Sequence, residues 1–130
     1  MNAARSSRRS MLGAACLAAA CTPSPEPTVA CTMIGCHDGL AVVLEAPPAG
    51  SYRVVASAEG EEDRMMDCSP DAPCGERVFF ADFQPESVTI RVISGTDTLT
   101  RTAQPDWQDL QPNGPDCPPT CRQATVTITP

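Results

Sequence analysis

The cysteines constrain the fold of this 130-residue chain more than any other feature. Eight are present, and six of them form three close pairs along the chain after residue 30. The six are Cys31, Cys36, Cys68, Cys74, Cys117 and Cys121. An even number of cysteines in a small domain is typical of an exported protein with a disulfide framework. The sequence therefore predicts a small fold held by three disulfides.

The spacing of these cysteines leaves two pairings open. Cys36 and Cys121 each lie four residues before a residue of an expected strand, Leu40 and Thr125, and these strands should be the first and last of the domain. If the two strands run side by side in parallel, the bonds are Cys36–Cys121, Cys31–Cys117 and Cys68–Cys74. The alternative is three local bonds: Cys31–Cys36, Cys68–Cys74 and Cys117–Cys121. We favour the first pairing because bonds that close long loops restrict the unfolded chain most.

A zinc site is a third possibility for the same region. Zinc is commonly bound by four cysteines or by three cysteines and a histidine. The candidate ligands are Cys31, Cys36, His37, Cys117 and Cys121. Their spacings, C-x₄-C and C-x₃-C, are wider than the C-x₂-C of a zinc knuckle, and an oxidising compartment favours disulfides over thiolates. We therefore expect no metal and no other cofactor.

Seven segments alternate apolar and polar residues or form short apolar runs, and turn residues separate them. The segments are 40–45, 52–58, 61–68, 76–83, 87–93, 98–103 and 122–129. In the second of them, Tyr52, Val54 and Ala56 share one face because side chains alternate along a strand. In the fourth, either Phe79 or Phe80 should point inward for the same reason.

Seven short strands in about 100 residues, without helical spacing of apolar residues, are typical of two packed sheets. The predicted fold class is all-β: a small antiparallel immunoglobulin-like β-sandwich, disulfide-stapled, over residues 31–130. The segment around Trp107 and Leu110 is expected to be irregular and to pack on the sheet through these two side chains. One of the neighbours Met65 and Met66 is expected to face the core.

The first twenty residues have the layout of an export signal. Residues 1–10 are polar and include three arginines, and residues 11–20 are apolar and small. This apolar run is much shorter than the ~20 residues that a membrane-spanning helix needs. The adjacent Arg8 and Arg9 leave both the general and the twin-arginine export routes open. We predict that residues 1–20 are a cleaved signal peptide.

Cys21 is the predicted site of lipidation. Leu17-Ala18-Ala19-Ala20-Cys21 resembles a bacterial lipobox, in which the signal is cut before a cysteine that then carries the lipid. Residues 21–30 would form a tether, because their alternate prolines favour an extended polyproline II conformation. The protein would reach the membrane through this N-terminal lipid. The alternative is ordinary signal cleavage and a soluble secreted protein.

The charge of the exported part argues against several partners. From Cys21 onward there are six arginines, no lysine and sixteen acidic residues, a net charge of −10. Such a chain repels phosphate backbones, so we expect no nucleic-acid partner. It is also repelled by anionic lipid headgroups, so attachment to the membrane should depend on the lipid anchor.

Few residues suggest catalysis. His37 is the only histidine, and it stands in the turn His37-Asp38-Gly39, which is typical of a surface position. Four acidic residues crowd the turn after the second strand: Glu59, Glu61, Glu62 and Asp63. Such a cluster can bind calcium, although the D-x-D-x-D-G loop of calcium sites is missing. We expect a solvated acidic turn and no enzymatic activity.

Three stretches of the chain, CTMIGCHDGL, GSYRVVASAEG and PNGPDCPPTCRQATVT, carry a family resemblance. Together they resemble a group of uncharacterised small bacterial cell-envelope lipoproteins that end in a Cys-Pro-Pro-x-Cys-Arg segment before the last strand. The resemblance implies an envelope β-domain and no particular activity. Thr22, rather than Asp, follows the lipid cysteine. By resemblance to the lipoprotein sorting rule of some bacteria, this implies delivery to the outer membrane, with the domain in the periplasm or at the cell surface.

The function expected from these observations is that of a lipid-anchored, non-enzymatic envelope protein. It would act as a structural or protein-interaction module with an unknown envelope protein partner, because the edges and loops of a sandwich can bind other chains. The alternative is an accessory module that binds calcium or carbohydrate.

Overall fold

The computed structural model describes residues 28–130, so the predicted signal peptide, Cys21 and most of the tether lie outside the described residues. Residues 28–130 form eight β-strands and no helix, and they include no helix of the length and hydropathy needed to cross a membrane. The strands are β1 (Gly39–Leu44), β2 (Tyr52–Ser57), β3 (Arg64–Cys68), β4 (Arg77–Ala81), β5 (Val88–Ser94), β6 (Asp97–Ala103), β7 (Gln108–Leu110) and β8 (Cys121–Ile128).

The strands form two four-stranded sheets. The first sheet has the order β4-β1-β8-β7, and the second has the order β3-β2-β5-β6. All neighbouring strands are antiparallel except β1 and β8, which run parallel with Gly39 opposite Gln123 and Leu44 opposite Ile128. The predicted all-β, disulfide-stapled sandwich is confirmed.

The alternation of side chains along the strands fills the space between the two sheets. The predicted inward face of β2 is buried, since Val54 and Ala56 are fully covered and Tyr52 is only 9% exposed. Of the two phenylalanines in β4, Phe80 points inward and meets Phe83 edge to face, with ring centroids 6.4 Å apart. This core is thin in aromatic side chains, so aliphatic residues of β1, β5 and β8 supply most of the rest.

Two expectations about side-chain packing are wrong. Met65 is 60% exposed and Met66 is 38% exposed, so neither faces the core, and Cys68 is the buried residue of β3. Leu110 is 42% exposed and belongs to β7, a strand within the segment predicted to be irregular. Trp107 does pack against the core, and its Nε1 donates a hydrogen bond to the carbonyl of Pro85 at 3.1 Å.

The parallel pairing of β1 and β8 gives the sandwich two distinct ends. Both strands begin beside Cys36 and Cys121, at the end that we call the proximal pole. Both finish at Leu44 and Ile128, at the end that we call the distal pole. Eight residues of extended strand cover about 26 Å, so the two poles are separated by roughly that distance.

Gly39 lets β1 approach β4 closely. Its φ is +150°, and a Cβ at this position would collide with the carbonyl oxygen of Phe80 and the ring of Phe79. We predict that Gly39→Ala lowers the free energy of unfolding by about 2 kcal/mol or more, as overpacking does in other cores.

Gly35→Ala is the matched control, because nothing lies within 4 Å of a Cβ at Gly35. Urea denaturation with the disulfides intact measures both variants. Equal midpoints for the two variants would contradict this view of Gly39.

Candidate functional site

Three disulfides hold the described part of the chain. The bonded pairs are Cys31–Cys117, Cys36–Cys121 and Cys68–Cys74, with Cα–Cα distances of 5.6, 6.0 and 5.3 Å. The first two join residues 86 and 85 positions apart, and the third closes a loop of six. This is the end-to-end pairing, in which the start and the end of the domain are bonded twice, rather than the local one.

The zinc alternative is incompatible with these bonds, because a cysteine in a disulfide has no thiolate to offer. His37, the remaining candidate ligand, is exposed, and its carbonyl accepts a hydrogen bond from the Gln123 side chain at 2.7 Å. Across residues 28–130, no three His, Cys, Asp or Glu side chains are grouped so that they could hold a metal ion.

Asn113 reinforces the disulfides at the proximal pole. Its side-chain oxygen accepts a hydrogen bond from the N–H of Ile34 at 2.9 Å, and its Nδ2 donates to the carbonyl of Ile34 at 2.8 Å. The same Nδ2 donates to the carbonyl of Pro118 at 2.7 Å. One amide therefore ties the N-terminal segment to the loop that contains Cys117. The sequence analysis did not single out Asn113, so its contact with a segment 79 residues away was not predicted.

Asp38 fixes the start of β8 in a similar way. Its Oδ1 accepts a hydrogen bond from the N–H of Arg122 at 2.7 Å, just before β1 begins. Together with the two long-range disulfides, this contact fixes the point at which the N-terminal segment meets the sandwich. The described N-terminal segment therefore joins the sandwich at the proximal pole.

The distal pole carries an apolar groove of about 230 Å³ between the two sheets. Its apolar walls are formed by the ends of the central strands and by the loop after β1, with Leu44, Ala46, Pro48, Val92, Leu99 and Ile128. Ser94 and Asp97, on either side of the β5–β6 turn, add polar groups at the rim. We call this feature the distal groove. Its lining can take up an apolar side chain, and Asp97 adds a negative charge beside it.

An exposed ion pair lies near the same pole. Arg53 on β2 and Asp67 on β3 face each other across the two strands, and Nε and Nη2 of Arg53 both donate to the Asp67 carboxylate. The hydrogen bond from Arg53 lowers the pKa of Asp67, and the positive charge of the guanidinium acts in the same direction. The pair adds a side-chain contact across the β2–β3 ladder, in which Arg53 is opposite Asp67.

The acidic turn lies at the proximal pole, away from the distal groove. Glu59 and Glu61 line a polar depression together with Glu86 from the loop before β5. Asp63 is instead paired with Arg91 at 3.2 Å, and both side chains remain largely exposed to solvent. The carboxylates of this turn are therefore not gathered around one point, as calcium binding requires.

Comparisons with protein-family models, with curated proteins and with solved structures found no match.

The two long-range disulfides should stabilise the domain in a non-additive way. While one of them is intact, the other closes only a ring of roughly ten residues, so its loss should cost about 3 kcal/mol in the chain-entropy model. Once both are removed, the loop of more than 80 residues is also released, and the total cost should be about 7 kcal/mol. That is comparable to the whole stability of a small domain.

The test compares Cys36→Ala/Cys121→Ala with a variant that also carries Cys31→Ala and Cys117→Ala. The fluorescence of Trp107 during urea denaturation measures the stability of each. Cys68→Ala/Cys74→Ala is the control, and it should cost about 2.5 kcal/mol because its loop is short. A four-cysteine variant no less stable than the two-cysteine variant would contradict the end-to-end arrangement.

The Arg53–Asp67 pair predicts a pH effect of known sign. Because the pKa of Asp67 is lowered in the folded state, the stability from the pair is present above the ordinary carboxyl pKa of about 3.9 and is lost as the pH falls through the lowered value. The effect should be small, since the pair is exposed.

Titration of the Asp67 carboxyl by NMR checks the direction. Arg53→Gln should bring the pKa of Asp67 back up, whereas Arg77→Gln on β4 should leave it unchanged. An Asp67 pKa that does not rise in Arg53→Gln would show that the hydrogen bond is not its cause.

Proposed function

We propose that this protein is an exported lipoprotein of the cell envelope and that it acts as a non-enzymatic protein-interaction or structural module. Cys21 would carry the lipid after removal of residues 1–20, and residues 21–30 would tether the sandwich to the membrane. The outer membrane is the proposed site, with the domain in the periplasm or at the cell surface.

The observation that carries this proposal is the separation of the two poles. The N-terminal segment meets the sandwich at the proximal pole, where Cys31 is bonded to Cys117 and Ile34 is bonded to Asn113. The distal groove opens at the other pole. An anchor at Cys21 would therefore hold the proximal pole toward the membrane and present the distal groove away from it. Three disulfides in so small a domain also suit an oxidising compartment.

The lining of the distal groove supports binding rather than bond-making chemistry. It is apolar apart from Ser94 and Asp97, and neither is bonded to a neighbouring base or acid in the described part of the chain. Apolar walls with a few polar groups at the rim are typical of sites that bind another chain or ligand. No observation favours the alternative accessory module: the acidic turn does not gather its carboxylates, and Trp107 is partly buried against the core.

The proposed anchor predicts how the full-length chain behaves in a bacterial host. A clickable fatty acid supplied to the cells should label the wild-type protein, which should fractionate with membranes. Cys21→Ser should abolish the label, because the sulfur that would carry the lipid is gone.

Cys16→Ser is the matched control, since it changes another cysteine of the same apolar stretch. It should retain both the label and the membrane fraction. Persistent labelling of Cys21→Ser, or a wild-type protein found only in the soluble fraction, would overturn the lipoprotein assignment.

A further inference from the structure

The first sheet is incomplete along β8 at the distal end. β8 has eight residues, but β7 pairs only with its first three, Cys121 to Gln123. On its other side β8 is paired with β1 as far as Ile128. In the region from 28 to 130, no strand lies beside the distal half of β8 on the β7 side. We call this stretch the open edge.

Two hydrogen bonds identify the backbone groups that face the open edge. The N–H of Arg122 is bonded to Asp38 just before β1, and the carbonyl of Ile128 is bonded to Glu45 just after β1. Both residues therefore direct their backbone groups toward β1. Since successive residues of a strand direct these groups to opposite edges, Thr125 and Thr127 direct theirs to the open edge.

The open edge lies beside the distal groove. Ile128 of β8 and Leu99 of β6 both line the groove, and Leu99 is only partly buried although it packs against the core. A strand placed on the open edge would continue the line of β7 and cover Leu99 with its inward side chains. The outer edge of β6 offers no such gain, since a strand added there would have no facing sheet to cover.

The charge around the distal groove determines whether a basic or an acidic segment is attracted to the open edge. Asp97 lines the groove and Glu45 is exposed beside it. Arg101 keeps its positive charge at this end, where its guanidinium donates to the carbonyls of Thr100 and Thr129 at 2.9 and 3.3 Å, but the acidic side chains of the domain outnumber the basic ones. The described residues carry six arginines against fifteen acidic side chains. A basic segment is therefore attracted to this end, and a second copy of the chain is repelled.

We propose that the open edge binds an extended segment of a partner protein by strand addition. The segment runs antiparallel to β8, bonds to the N–H and C=O of Thr125 and Thr127, and places an apolar side chain in the distal groove. It carries Lys or Arg where it passes Asp97. This proposal rests on the proposed role as a protein-interaction module and identifies its site and the chemistry of its partner.

A random library of octapeptides displayed on phage tests the proposal against the purified, disulfide-bonded protein, taken from whichever cell fraction contains it. Enriched peptides should alternate apolar and polar residues, contain Lys or Arg and lack proline in the middle. Binding of a synthetic enriched peptide should slow hydrogen exchange at the amides of Thr125 and Thr127 at least tenfold. The amides of Arg122 and Val126, which face β1, should change little.

Thr127→Pro removes an N–H of the open edge that makes no bond within residues 28–130, so it should leave the fold intact and weaken peptide binding at least tenfold. Thr127→Val is the matched control, because it keeps the N–H and should bind as the wild type does. If Thr127→Pro fails to fold, the exchange measurement on the wild type decides alone.

Four results would overturn the proposal: no enrichment, enrichment of acidic peptides, exchange protection elsewhere on the domain, or a dimer of the protein whose Thr125 and Thr127 amides are already protected. Each is distinguishable from failure of the lipoprotein assignment. The fatty-acid labelling of Cys21 does not depend on the open edge, and peptide binding at the open edge does not depend on the lipid.

Discussion

The parallel pairing of β1 with β8, bonded at its start by two disulfides, is the constraint on which the rest of this structure depends. These strands come from opposite ends of the domain and occupy the centre of the first sheet. Bringing them together closes almost the whole domain into one loop, and the entropy of that closure opposes folding. Cys31–Cys117 and Cys36–Cys121 remove most of this cost by keeping the loop closed in the unfolded chain. Aromatic residues make up only 4% of the chain, so the core buries little aromatic surface. The two disulfides therefore supply stability that a larger core would otherwise provide.

The same pairing makes the two ends of the domain structurally different. Because β1 and β8 run parallel, their starts share one pole and their ends share the other, which an antiparallel pair would not provide. The two disulfides, Asn113 and Asp38 all act at the proximal pole. The distal groove and the open edge lie toward the other pole, where Cys68–Cys74 closes only a local loop. The two poles therefore differ: the long-range disulfides close one end of the domain, and the groove and the open edge lie toward the other.

Much of this fold follows from local sequence patterns. The alternation of Tyr52, Val54 and Ala56 predicts their common buried face, and the equal spacing of Cys36 and Cys121 from their strands favours the long-range bonds. Other features depend on contacts that no local pattern encodes. Gln108–Leu110 has no apolar alternation, and it becomes a strand only because β8 offers an edge. Met65 and Met66 resemble core residues in sequence, yet both are exposed in the folded domain. The open edge was the feature least predictable from the sequence, since it exists only because β7 is shorter than β8.

The most direct test of this account is the disulfide pairing of the protein isolated from its native host without reduction. Cyanogen bromide cleaves after methionine, and Met33 separates Cys31 from Cys36, while Met65 and Met66 separate both from Cys117 and Cys121. With the end-to-end pairing, mass spectrometry before reduction should find the fragments that end at Met33 and Met65 both joined to the C-terminal fragment. If the first two fragments are instead joined only to each other, and the C-terminal fragment is released alone, then the bonds are local and the proximal pole is not closed as described.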